Sequence, residues 1–213
     1  MRAGRCPSEV KLIAVSKGVS AETIKNAVEN GIRELGENRV QEAQEKITII
    51  TACLPDSRVK WHLIGHLQKN KTKIAVQIFD MIHSVDSLEL ALLLNRYAGE
   101  TGKKQKIMLQ VKLSDEESKY GILKDNLIEV LAGIVHLANL QVEGLMTIPP
   151  YFDDPERVRL FFRELKELKD NAVRAGFGLT ELSMGMSNDF EVAIEEGATM
   201  VRVGTAIFGE RSY

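Results

Sequence analysis

Cysteine is nearly absent from this chain of 213 residues. Cys6 and Cys53 are the only two, in no CxxC pair and beside no histidine cluster. Neither a disulfide framework nor a zinc site is expected, and a reducing, cytoplasmic setting is. An excess of one charge is missing too. Lys+Arg number 28 against 30 Asp+Glu, for a net charge of −2, with no block of like charge. That removes the electrostatic case for nucleic acid or an acidic membrane surface. No apolar run approaches the ~20 residues that span a bilayer. The amino-terminal "MRAGRCPSEVK" has no apolar core of a secretion signal. Proline is scarce, at five residues, and no linker divides the chain, so one domain over 1–213 is expected.

What the chain does have is one repeated pattern. "KLIAVSKG" begins with a short apolar run, Leu12 to Val15, that ends abruptly at Ser16, Lys17 and Gly18. Ser20 can then cap a helix with Ile24, Ala27 and Val28 inside, closed by Gly31. Strands follow in "GIRELGEN", "KWHLIG", "DMIHSVDS", "KIMLQVKL", "LQVEGLMTI", "TELSMG" and "TMVRVGT", alternating with helical stretches. The clearest helix places Val158, Phe161, Phe162, Leu165, Leu168 and Ala172 on one face. A polar loop, "SDEESKYG", separates the fifth strand from its helix. Eight βα units predict a (β/α)8 TIM barrel. An open doubly wound sheet is the rival, but the first strand is followed by no glycine fingerprint.

A barrel gives the strand ends a meaning, because ligands bind at the carboxyl ends and phosphate commonly at loops 7 and 8. Lys17 closes strand 1 there. Ser187 stands in loop 7, within "SMGMSN"; Gly204 and Thr205 open loop 8 with backbone N–H groups expected to be unobstructed. Taken alone, Ser187 reads rather as an ordinary helix N-cap, and Asp189 and Glu191 suit a helix first turn. Arg202 lies inside a strand that should be apolar, on the same side as Gly204. It requires an acceptor, either a carboxylate from a neighbouring strand or a ligand atom. An amine, a phosphate cradle and an arginine together suit pyridoxal phosphate (PLP), which has an aldehyde, a phosphate and a ring nitrogen. A Schiff-base aldolase would use the lysine but has less need of Arg202. His62, His66 and His83 gather near strands 3 and 4, but no carboxylate accompanies them at ligand spacing, so no metal is expected. His83 is expected to wall the pocket, and His136 to sit on a helix surface.

"LIAVSK", "LGENRVQEAQEK", "WHLIGHLQKNK", "SDEESKYGI", "VEGLMTIPP" and above all "ELSMGMSNDFEVAIEEGATMVRVGTAIFGER" resemble the pyridoxal phosphate homeostasis proteins. The resemblance runs from about Gly4 to Tyr213. It implies the barrel of the alanine racemase amino-terminal domain and PLP held as a Schiff base on Lys17. It further implies phosphate on Ser187, Gly204 and Thr205, Arg202 at the pyridine nitrogen, and Asn38 and Ser183 lining the pocket. The implied function is non-enzymatic storage, buffering or delivery of PLP, with PLP-requiring apo-enzymes as recipients and a monomer or weak dimer as the assembly. A PLP-dependent racemase-like enzyme is the alternative. The chain ends soon after strand 8, so the further domain that gives racemases an opposing tyrosine base is not expected. Two departures stand out. The family's longer helical segment before the "GR-P-EV" region, which starts here at Gly4, is expected to be short or missing, and "VSKGVS" replaces the commoner "VSKTKP".

Overall fold

The computed structural model describes residues 3–114, 116 and 119–209. Its eight barrel strands are β1 (Lys11–Val15), β2 (Glu34–Glu37), β3 (Lys60–Leu63), β4 (Met81–Val85), β5 (Gln105–Lys112), β6 (Leu140–Met146), β7 (Glu181–Ser183) and β8 (Met200–Val203). All neighbours are parallel. The ring closes because β1 pairs with both β2 and β8, while β4 pairs with β5. A two-residue strand, Ile122–Leu123, hangs on the end of β5 outside the ring. The part of "SDEESKYG" formed by Asp115, Glu117 and Ser118 lies outside the described residues.

The main helices are α1 (Ala21–Glu29), α2 (Val40–Cys53), α3 (Thr72–Ile78), α4 (Leu88–Glu100), α5 (Leu127–Ile134), α6 (Arg159–Arg174), α7 (Phe190–Glu195) and α8 (Thr205–Phe208). Ser20 caps α1 by accepting from the Thr23 N–H, and Ser87 caps α4 by accepting from Leu90. Each satisfies one of the donors a helix start leaves bare. The clearest sequence helix is α6, whose Phe162, Leu165 and Ala172 are buried against the sheet. One large apolar core lies between strands and helices. A second, smaller one fills the barrel itself, from Ile13, Met81, Met108, Met146 and Met200. Methionine's unbranched chain suits that irregular interior. Among the described residues no helix is long and apolar enough to cross a membrane.

The far mouth of the barrel, at the strands' amino ends, is ringed by ion pairs. Lys11 meets Glu181 at 2.6 Å, Lys106 meets Glu143 at 2.9 Å and Lys60 meets Glu34 at 3.6 Å. The opposite mouth is open.

Candidate functional site

At the carboxyl ends of the strands lies a cavity of about 430 Å³. Lys17, Asn38, Ser187, Arg202, Gly204 and Thr205 all line it. Period 2 explains the convergence, since Val15 and Arg202 point inward from adjacent strands. Ile64, Ile148, Tyr151 and Met186 supply further walls. Local sequence pattern does not mark these four, because nothing in an apolar strand end or a loop tyrosine sets it apart before the barrel closes. A wider concavity of about 750 Å³ adjoins through Asn38 and Gly65. It is more open and polar, and its His66 is stacked on Tyr120 with Asp86 3.3 Å from the ring. Gly65 is needed where the two meet, because a Cβ there would fall 2.4 Å from the Asn38 carbonyl oxygen.

Lys17 is half-buried just past β1, and among the described residues its amine has no hydrogen bond or ion pair. Its backbone neighbours, in contrast, are tightly held. Lys46 of α2 donates to the Ser16 carbonyl at 2.6 Å, to Glu37 at 2.7 Å and to Glu42 at 2.6 Å. The Ser16 hydroxyl donates to Glu37 at 2.7 Å, and the Gly18 N–H to Glu42 at 2.6 Å. Burial pushes the Glu37 carboxyl up, against the hydrogen bonds from Lys46 and Ser16. For Glu42 burial pulls the same way but loses to Lys46 and the Gly18 N–H, which hold it down. Lys46 of α2 is thus buried against Glu37 of β2, with Glu42 at the edge of the pair.

Ser187 is not the N-cap of α7; Asp189 holds that position and its carboxylate accepts from the Met186 N–H at 2.6 Å. The Ser187 hydroxyl instead accepts from the Gly204 N–H at 3.2 Å, tying loop 7 to loop 8. This corrects the expectation that the Gly204 N–H is unobstructed. Thr205 opens the four-residue α8, so its N–H has no acceptor within that helix. Gly185 makes the sharp exit from β7 possible, at φ +92° and with a Cβ position only 2.5 Å from Ala193. Its carbonyl accepts from the Arg202 N–H at 2.9 Å. Burial pushes the Asp189 carboxyl up, opposed by the Met186 N–H and the nearby Arg202 charge.

Arg202 is 3% exposed. Its guanidinium donates to the Ser183 hydroxyl at 2.6 Å and to the Thr147 carbonyl at 2.9 Å. The acceptor is thus neither the carboxylate nor only the ligand atom that the sequence suggested. A guanidinium has five N–H donors, so two bonds among the described residues leave others for the cavity it lines. Burial pulls its pKa down to about 10, partly offset by Asp189; it is a cation at neutral pH. Ser183 does not line the cavity but lies fully buried behind Arg202. His83 is corrected in the same way. It is fully buried, bonded to Ser183 at 2.9 Å and to His62 at 2.9 Å. A carboxylate does accompany the histidines, since Glu34 meets His62 at 2.6 Å. Every ring nitrogen of His62 and His83 is already hydrogen-bonded. His136 is exposed just beyond α5.

Residues 2–212 match the family described as alanine racemase, N-terminal domain. The pyridoxal phosphate homeostasis protein of Aquifex aeolicus is 45% identical over 213 residues, 100% of this chain and 92% of that one. Its counterpart in Escherichia coli K12 is 40% identical, covering 100% of this chain and 90% of its own. The structure of PipY from Synechococcus elongatus with PLP bound superposes with a TM-score of 0.88 at 43% identity, covering 98% of this chain and 96% of that one. A Clostridium difficile alanine racemase shares the fold at 17% identity and a TM-score of 0.76, over 98% of this chain and 53% of its own. With such relatives matching end to end, and with the barrel and its strand-end lysine in place, the chain belongs to the pyridoxal phosphate homeostasis protein family.

Proposed function

We propose that the protein binds PLP at the strand-end cavity and holds it for storage, buffering or delivery. One observation carries this reading. A single cavity presents an uncommitted lysine amine, a stitched pair of loops bearing Ser187, Gly204 and Thr205, and a buried arginine with donors to spare. The residues suit the cofactor. Val15, Ile64, Ile148 and Met186 offer apolar walls to a planar ring, and Asn38 a polar edge. When bound, PLP supplies an aldehyde carbon open to attack by an amine and a ring nitrogen able to accept a hydrogen bond. Lys17 is the residue for the first and Arg202 for the second. Ser187, Gly204 and Thr205 are the residues for the phosphate. Ser183 supports Arg202 from behind.

Holding without amino-acid turnover is part of the proposal. Arg202 does not release its proton near neutral pH, so a ring nitrogen facing it stays an acceptor and a weaker electron sink. The recipients are then PLP-requiring apo-enzymes, met in the cytoplasm. An absorbance titration of purified protein with PLP tests the binding, with a new visible band expected and an unchanged spectrum overturning it. Incubation of the loaded protein with L-alanine in deuterated water tests the rest. The α-proton should persist; rapid exchange with appearance of the D-isomer, lost in Lys17→Ala, would establish the racemase reading instead.

A further inference from the structure

The bonds behind Arg202 form one unbroken line across the barrel interior. Arg202 on β8 meets Ser183 on β7, Ser183 meets His83 on β4, His83 meets His62 on β3, and His62 meets Glu34 on β2. Glu34 lies at the far mouth, beside a cavity of about 270 Å³ that His62 also lines. The line has a direction. A guanidinium can only donate and a carboxylate only accept. His62 therefore carries its proton on Nε2, facing Glu34, and when neutral accepts at Nδ1. His83 must then donate from Nε2 and accept at Nδ1, which obliges the Ser183 hydroxyl to donate to His83 while accepting from Arg202. Every proton points towards Glu34.

We propose that Glu34, His62, His83 and Ser183 act as positioning residues for Arg202, forming a proton-sensitive wire that couples the far mouth of the barrel to the cofactor's ring nitrogen. The coupling to cofactor rests on the PLP reading above; the wire itself does not. One proton added to the histidine pair belongs on His62, against Glu34, rather than on His83, which faces the Arg202 charge. His62 then donates from both nitrogens, so His83 has to accept at Nε2 and shift its own proton to Nδ1. Ser183 now receives two donors and no longer gives its hydrogen to His83. Hydrogen bonds in a chain polarise one another, so Ser183 becomes a poorer acceptor for Arg202, and the guanidinium has more to give to a ligand. Burial, then the charges of His62, Arg202 and Lys11, hold His83 well below the ordinary histidine range, in keeping with a relay that stays neutral. The other charges facing the pair are Lys60 beside Glu34, and Asp80, Lys103, Lys104 and Lys106 around the far mouth. Lys11 and Lys106 are paired with Glu181 and Glu143. Asp80 accepts from the Trp61 N–H at 2.8 Å.

The test has two readouts. In cofactor-free protein labelled with 15N-histidine, NMR at high pH should show both imidazoles as Nε2–H tautomers. On acidification His62 should gain its second proton while His83 inverts to Nδ1–H. A His83 that keeps one tautomer throughout, or starts in the other, overturns the wire. In PLP-loaded protein the visible band should shift with pH at the same midpoint, and Glu34→Gln should lower that midpoint by about one unit or more, with Glu34→Asp restoring part of it. A band indifferent to pH, or a midpoint unmoved in Glu34→Gln, overturns the coupling. The first readout uses wild-type protein without cofactor, so its failure is distinct from failure of the PLP reading.

Discussion

The Lys46 ammonium lies 2.6 Å from the carbonyl oxygen of Ser16, one residue before the lysine at the strand-end cavity. With Glu42 on the Gly18 N–H, it grips the backbone on both sides of Lys17. Lys46→Met strands Glu37, a fully buried carboxylate, without its counter-charge. Breaking a buried pair costs about 3–5 kcal/mol, and urea unfolding should show a loss of that order. Lys46→Met combined with Glu37→Gln should recover part of it. Additive losses would mean that the pair is not coupled.

Lys17→Ala should leave the cofactor-free protein about as stable as wild type, within about 0.5 kcal/mol, because its amine holds nothing up. Borohydride treatment of the PLP-loaded wild type should place the pyridoxyl group on the peptide containing Lys17. Label on another lysine would move the covalent site.

The phosphate should contribute much of the affinity. Hydrogen bonds to charged groups are worth about 1.5–3 kcal/mol each, and ~1.4 kcal/mol is one decade in Kd. Pyridoxal without phosphate should therefore bind at least about tenfold more weakly than PLP by competition titration. Ser187→Ala should narrow that gap. Equal affinities in wild type would remove the phosphate role from loops 7 and 8.

Arg202→Met should weaken PLP binding by about tenfold or more, the loss of one charge-assisted bond. It also leaves the Ser183 hydroxyl and the Thr147 carbonyl without their donor. Denaturation of the cofactor-free variant separates the two effects. Unchanged PLP affinity in folded variant protein would make Arg202 purely structural.

His83 predicts an acid limb of stability. Its folded pKa is lowered, so as pH falls below about 6.5 the unfolded chain takes up a proton that the folded protein refuses. Stability should then decline with acid, by at most ~1.4 kcal/mol per pH unit for this group. The carboxylates held low, such as Glu34 and Glu42, act only at lower pH, through the ordinary carboxylate range. Urea midpoints between pH 5 and 7 should slope in wild type and flatten in His83→Gln. Parallel slopes would assign the effect elsewhere.

The barrel, and the gathering of Lys17, Ser187 and Arg202 at one strand-end cavity, were legible because each signal is local. A strand period, a strand end or a charge inside an apolar run can be seen within a few residues. The interior wire was not. Ser183 and His83 are 100 positions apart and meet only because β7 and β4 face each other across the closed ring. The family resemblance therefore put Ser183, and local pattern put His83, on the pocket wall, and neither found Glu34 as a histidine partner. Lys46 was illegible for the same reason, since a lysine among glutamates on a polar helix looks solvated until Ser16 and Glu37 are folded against it. The unobstructed N–H expected of Gly204 failed on one hydroxyl: the barrel pattern put loops 7 and 8 side by side, but not the bond between them.

That hydroxyl alters the thermodynamics of filling the site. With Ser187 accepting from the Gly204 N–H at 3.2 Å, the resting protein does not leave that donor bare. On the PLP reading proposed above, an arriving phosphate would exchange one acceptor for another, and the serine, released from accepting, would turn its own hydrogen to the newcomer. One hydrogen bond between the loops would become two to the anion at capture, and departure would restore the original one. A holder built on exchange rather than on vacancy can bind firmly and still let go without leaving a buried polar group stranded.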